Sequence, residues 1–270
     1  MDASAIPAER LRFDCVTKRF PPARDRRGND GVTAIQDVEI AVKDCEVVAL
    51  IGPSGCGKST LLNLASGLDR PSGGRVFVDG KEVTGPNRHV AFMLQKDLLL
   101  PWRTIRQNVE FGLEIHGVAP AMRRVRAESL LVKYHLGEFM DHYPHQLSGG
   151  MRQRAAMART MAMDPDVLLL DEPFSALDAQ TKMVLQQDLA RTLKEEKKTA
   201  FLITHDLVEA LALCDRVLVM SRRPGRIVRE IVVDIPDRDD PMTRRRNNKI
   251  NDYIAELMQL LDIGHTKLDA

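Results

Sequence analysis

The 270-residue chain is long enough for one large α/β domain with a lobe and a tail, and its 44% hydrophobic and 29% charged residues are those of an ordinary globular protein. A net charge of +1 gives no global attraction to nucleic acid or to an acidic membrane, and four dispersed cysteines without a C-x-x-C pair suggest neither a zinc site nor a disulfide framework. No apolar run approaches the ~20 residues that cross a bilayer. Met1 to Ala5 leads straight into charged residues, so no secretory signal is expected. Any service to a membrane is expected to come from its side, through a partner.

Residues Leu11 to Phe20 alternate loosely, with Leu11, Phe13, Cys15 and Val16 inward, and predict an edge strand closed by Pro21-Pro22. Phe20 at its end could stack on a nucleobase or anchor the core; the residues alone leave both open. The polar run Ala23 to Gly31 reads as a solvated loop. Ala34 to Val42 is a second strand, alternating through Val38, Ile40 and Val42, so a small antiparallel sheet is expected at the N-terminal end of the domain.

Val47 to Ile51 is a short buried-strand pattern. It runs into Gly52-Pro53-Ser54-Gly55-Cys56-Gly57-Lys58-Ser59-Thr60, and then into the helix opening Leu61 to Ala65. Strand, glycine loop and helix in the spacing G-x-x-x-x-G-K-[ST] form a phosphate site. Glycines let backbone N–H groups turn in around an anion, and the helix N-terminus adds partial positive charge. Lys58 is placed to reach the β- and γ-phosphates, and the Ser59 hydroxyl to ligate Mg²⁺. A nucleoside triphosphate site is therefore predicted, with Cys56 as a small loop residue.

Arg75 to Lys81 predicts a strand with an Asp-Gly turn, and His89 to Leu94 another that delivers Gln95. From Ile105 to about Tyr143 the spacing becomes helical, through Val109, Leu113, Val125, Leu130, Leu131 and Leu136, as in an inserted lobe. Ser148-Gly149-Gly150-Met151 then opens a strong helix with Ser148 as its N-cap, a second helix end able to receive an anion. Val167 to Leu170 is an apolar run ending in Asp171 and Glu172, a central parallel strand presenting carboxylates at its C-terminal edge. Asp171 is suited to hold Mg²⁺ through water and Glu172 to orient the attacking water. Thr199 to Thr204 is a further buried strand with His205 at its end, a candidate γ-phosphate contact. Arg216 to Met220 and Arg226 to Ile235 flank a Pro224-Gly225 turn. A charged stretch with Arg244-Arg245-Arg246 follows, and then a short amphipathic helix through Ile250, Ile254, Leu257, Leu260 and Leu261.

Together these residues resemble the nucleotide-binding subunit of an ATP-binding-cassette (ABC) transporter, over roughly residues 10 to 235 and with the motifs in the family's order. The resemblance implies an α/β P-loop NTPase core with an N-terminal antiparallel β-subdomain and a helical subdomain at about 96–160. It implies a cassette over 1–235 and a tail over 236–270. Its ligands would be ATP and Mg²⁺. Gln95 matches the Q-loop glutamine, facing nucleotide and metal alongside Ser59 and Asp171. Ser148 to Met151 matches the signature, Ser175-Ala176-Leu177-Asp178 the D-loop and His205 the switch histidine. Phe20 stands where a stacking tyrosine is usual, Met151 where glutamine is, and Cys45 in a turn that is usually glycine.

The family pattern implies a head-to-tail homodimer, the signature of one copy closing over ATP held by the other. Asp97-Leu98-Leu99-Leu100-Pro101-Trp102, Asn108 to Glu114, Met151 and Arg223 to Ile227 resemble the ATPases of bacterial nitrate, sulfonate and taurine importers. That implies a peripheral protein at the cytoplasmic face of the inner membrane, with a separate permease and, indirectly, a solute-binding protein. In such importers the segment after Gln95 forms a groove for the permease, for which Leu98 to Trp102 would be the exposed apolar surface. Export or lipid-trafficking ATPases share the core motifs. A cassette acting on nucleic acid or ribosomes is disfavoured, because neither a second cassette nor a long coiled-coil insertion is present.

Overall fold

The computed structural model describes residues 8–21 and 31–261; most of the solvated loop expected at Ala23 to Gly31 lies outside them. Two sheets organise the chain. The first is antiparallel, in the order β2-β1-β4-β5, from β1 (Glu9–Phe20), β2 (Val32–Lys43), β4 (Gly73–Val78) and β5 (Lys81–Glu82). The second has six strands in the order β10-β9-β3-β8-β7-β6. Its members are β3 (Val47–Ile51), β6 (Val90–Met93), β7 (Val167–Asp171), β8 (Thr199–Ile203), β9 (Arg216–Met220) and β10 (Ile227–Val232). All its pairings are parallel except β9 with β10.

The apolar runs Val47–Ile51 and Thr199–Ile203 are buried along their whole length because the large sheet is covered on both faces. Side chains alternate between two cores. Val48, Leu50, Val167, Leu169, Phe201 and Ile203 face the small sheet and α1 (Lys58–Ala65). Val47, Ala49, Leu168, Leu170 and Leu202 face the other helices. Those are α2 (Ile105–Ile115), α3 (Pro120–Lys133), α4 (Gly149–Ala162), α5 (Ala179–Glu195), α6 (Leu207–Leu213), α7 (Pro241–Arg245) and α8 (Lys249–Leu260). The result is three layers: antiparallel sheet with α1, parallel sheet, helices. The C-terminal ends of β3, β6, β7 and β8 all lie along one edge, where residues 52, 95, 172 and 205 follow.

Several expectations need correcting. β1 is not an edge strand: β4 comes back from sixty residues later to pair with its free side, antiparallel. Cys15 is not inward. It is exposed with φ 48° at an irregularity in the β1–β2 register, which lets Phe13 and Val16 both point into the core. Val125 lies on the exposed side of α3, whose buried residues are Ala127, Leu130 and Leu131. Arg244, in the charged stretch, is buried. It is 1% exposed and donates to the carbonyls of Ala212 and Cys214 at the end of α6 (3.4 and 2.9 Å). After it, α8 buries Ile250 and Leu257 in the helix-side core, against the rest of the same chain.

Candidate active site

The glycine loop leaves β3 at Gly52 and enters α1 through Gly57, which sits at φ 112°. A Cβ there would lie 2.5 Å from Ile35 Cγ2, so both the backbone angle and the packing against β2 require glycine. No side chain caps α1, so the helix-start donors are not spent on the chain's own side chains. Lys58 curls back over the loop, Nζ donating to the carbonyls of Gly52 and Pro53 (2.8 and 3.0 Å) with Cys56 Sγ 3.9 Å away. Cys56 is buried. Around this loop a cleft of about 470 Å³ is lined by Phe20, Ser54, Gly55, Gly57, Lys58, Ser59, Thr60 and Glu172. Phe20, one of these lining residues, is 40% exposed.

Asp171 ends β7 and Glu172 follows at φ 45°, a left-handed conformation that costs a non-glycine residue about 1–2 kcal/mol. Glu172 N–H donates to Ile203 O (2.9 Å), and its carbonyl accepts from Ser175 Oγ (3.0 Å), which hold it there. Burial pushes the Asp171 carboxyl above the usual carboxylate range, and the Ser59 hydroxyl and Lys58 pull it partly back. A desolvated carboxylate beside a hydroxyl is a hard-oxygen pair of the kind Mg²⁺ takes next to phosphates. Ser59 and Asp171 therefore fit that ion.

Glu172 also belongs to a second groove, of about 720 Å³, shared with Gln95, Gly149, Ser175, Ala176, Leu177 and His205. Gln95 Nε2 donates to Glu172 Oε2 (3.2 Å) and Ser175 Oγ (3.3 Å), and His205 Nδ1 lies 3.2 Å from the same carboxylate oxygen. Three strand ends thus converge on one acid. Gln95, expected near the metal, is placed against Glu172 and Ser175 rather than among the residues lining the phosphate cleft.

Ser148 caps α4, its hydroxyl accepting from Met151 N–H at 3.3 Å. Gly150 has a packing reason that the sequence did not suggest: a Cβ there would lie 2.4 Å from Thr181 Cγ2 on α5. Met151 is half-buried against the helix-side core. Asp178 caps α5 through Thr181 N–H (2.9 Å), and that bond holds its carboxyl below the usual range. Ser175, Ala176 and Asp178 are exposed. None of residues 148–151 lines the phosphate cleft. The segment after Gln95 is bound to the signature helix by two arginines: Arg152 Nε contacts Asp97 (3.0 Å), while Arg159 donates to the carbonyls of Asp97 and Leu98 (2.6 and 2.7 Å). Those arginines carried no motif, and helical spacing of basic residues on α4 was the available signal.

The phosphate cleft, the acid at its edge and a serine-capped helix start outside the cleft form a set that can be compared with known proteins. The ABC transporter family model matches residues 35–175. The chain belongs to that family. It is 42% identical over 241 residues to the nitrate import ATP-binding protein NrtD of Synechocystis, covering 87% of this chain and 90% of that one. To the taurine import ATP-binding protein TauB of Yersinia pestis it is 43% identical, over 77% of this chain and 82% of the relative. An uncharacterized ABC transporter ATP-binding protein of Methanocaldococcus jannaschii is 45% identical, over 84% and 83%. A solved dimeric structure of the ATP-binding cassette MJ0796 bound to ADP and Pi superposes with a TM-score of 0.72 at 32% identity, over 83% of this chain and 98% of that one. This ABC protein is thus an ATP-binding subunit and an ATPase with the P-loop α/β fold. No helix among its described residues is long and apolar enough to cross a membrane.

Proposed function

We propose that this ABC ATPase energises uptake of a small anion of the nitrate, sulfonate or taurine type through a separate permease. We further propose that it works as a homodimer with ATP between the copies. One observation carries the dimer: the phosphate cleft and the signature helix start are separate in a single chain. A signature lying outside its own chain's cleft is free to serve another copy's. The exposed D-loop residues and Ser148 lie where such a neighbour would meet them. Relatives named for nitrate and taurine import support the reading of import and of this solute class.

In this reading Phe20 stacks on the base, the loop amides of Gly52 to Thr60 cradle the phosphates and Lys58 turns from its two carbonyls to the β- and γ-phosphates. Ser59 and Asp171, with Gln95, would hold Mg²⁺, which when bound would neutralise phosphate charge. Glu172 orients the attacking water and accepts its proton, positioned by its strained backbone and by Gln95 and His205. His205 contacts the γ-phosphate. Ser148, Gly149, Gly150 and Met151 close from the second copy, and Ser175 to Asp178 lie along the seam. Because Arg152 and Arg159 tie the Gln95 segment to α4, nucleotide-dependent movement at Gln95 is passed to the signature helix. Trp102 (71% exposed) and Leu98 on that segment offer an apolar surface to permease subunits at the cytoplasmic face of the inner membrane.

The test is light scattering on the Glu172→Gln protein with and without ATP and Mg²⁺. A mass that doubles with nucleotide, and fails to double when Ser148 is replaced by phenylalanine, is the expected result. A monomer that hydrolyses ATP at full rate would overturn the shared site. Reconstitution with permease and solute-binding protein then shows which anion stimulates turnover.

A further inference from the structure

The turn between β9 and β10 leans on the phosphate loop in a way that its sequence, read as a plain Pro-Gly turn, does not announce. Gly225 is pressed against the loop: a Cβ there would lie 2.1 Å from Cys56 O and 2.4 Å from Met220 Cε. Its backbone is fastened to β2 on the other side, donating to Ala34 O (2.9 Å) and accepting from Gln36 N–H (3.0 Å). The turn is therefore fixed to both walls of the cleft. Arg223 is carried by it. Its Nε and Nη2 both donate to Gly55 O, at 3.1 and 2.8 Å, and its side chain lines the cleft with Lys58, Ser59 and Phe20.

An arginine usually meets a carboxylate. Among the described residues this one has none within 4.0 Å, and its two bonds go to a neutral carbonyl. Among the described residues its charge therefore meets no carboxylate at the mouth of the anion site, and no bond from Nη1 is made.

We propose that Arg223 is a second cation of the nucleotide site, adding to Lys58 by holding positive charge over the phosphate tail from the β9–β10 turn. The proposal rests on the ATP reading of the cleft. Two roles compete at Gly55: a charge that favours bound polyphosphate, and a neutral brace for the loop. They separate by substitution. Gln at position 223 can still donate to Gly55 O but has no charge; Lys keeps the charge and loses the fork.

The experiment is calorimetric ADP binding to the full chain at two salt concentrations, with thermal midpoints read on the same samples. R223Q should weaken ADP about fivefold, R223E further, and R223K less than twofold. The wild-type Kd should rise more steeply with salt than that of R223Q. An R223Q protein that binds ADP within twofold of wild type would show a brace and overturn the proposal. Equal losses in R223Q and R223K, or parallel salt dependences, would do the same. If the unaltered chain binds neither ADP nor ATP, the nucleotide reading itself fails; if it binds and the series above fails, only the role of Arg223 does.

Discussion

Two helix starts in this protein look alike in sequence and differ in the structure. At α1, Gly57 stands at the cap position, no side chain reaches back, and Lys58 leans over the loop. At α4, Ser148 spends its hydroxyl oxygen on Met151 N–H. The first end keeps its donors for a guest and lies in a cleft next to Ser59 and Asp171. The second has satisfied one of its own donors and lies exposed, beside a groove rather than inside the phosphate cleft. A helix N-terminus is therefore not one kind of anion site. In the proposed dimer, one would bind phosphate by itself and the other would complete a site begun by a second copy.

The strongest way to break that division of labour is at the acid between them. Glu172→Gln should lower turnover by at least ~100-fold, the range of general base catalysis, with ADP affinity unchanged by calorimetry. Turnover at the native rate would remove Glu172 from the reaction. Ser148→Phe should also abolish turnover, yet leave ADP binding by the single chain within about twofold. A large loss of ADP affinity would mean that α4 serves its own chain's cleft.

Lys58→Ala should weaken ADP binding by about 1.5–3 kcal/mol, roughly 10- to 150-fold. Gly150→Val sharpens the comparison from the packing side. The clash with Thr181 should cost about 1–3 kcal/mol and lower the thermal midpoint by several degrees, with ADP affinity retained. The smallest effect is expected far from both helix starts, at Asp44. Arg10 beside it holds its carboxyl below the usual range. That contribution is present above the ordinary carboxylate pKa near ~4 and is lost as pH falls through the depressed one. Asp44→Asn should flatten the acid limb of the melting-temperature profile by lowering the midpoint slightly at neutral pH, where the pair contributes, and leaving it almost unchanged at low pH.

The α1 end was legible in the sequence because its glycines, lysine and serine sit in one short window between a strand and a helix. The order of strand ends carrying Gln95, Asp171-Glu172 and His205 could be read for the same reason: each is an apolar run with a polar terminus. Partners distant in sequence stayed hidden. β1 looked like an edge because β4, which covers it, arrives sixty residues later. The burial of Arg244 stayed hidden because nothing nearby announces the carbonyls at the end of α6 that it donates to. Gly150 could be seen as a phosphate residue but not as a packing residue, since Thr181 lies on another helix. Cys45 was noted as an odd residue for its turn; at φ 60° it occupies the left-handed region where glycine would sit without strain.

The burial of Ile250 and Leu257 reaches beyond the tail that carries them. A shortened protein ending at Ile235 would open a greasy hollow behind β9 and α6, and would strip the arginine that plugs the end of that helix. Such a fragment, though it keeps every nucleotide motif, should clump rather than stay in solution. Whoever trims this enzyme for crystallisation has to keep the last helix.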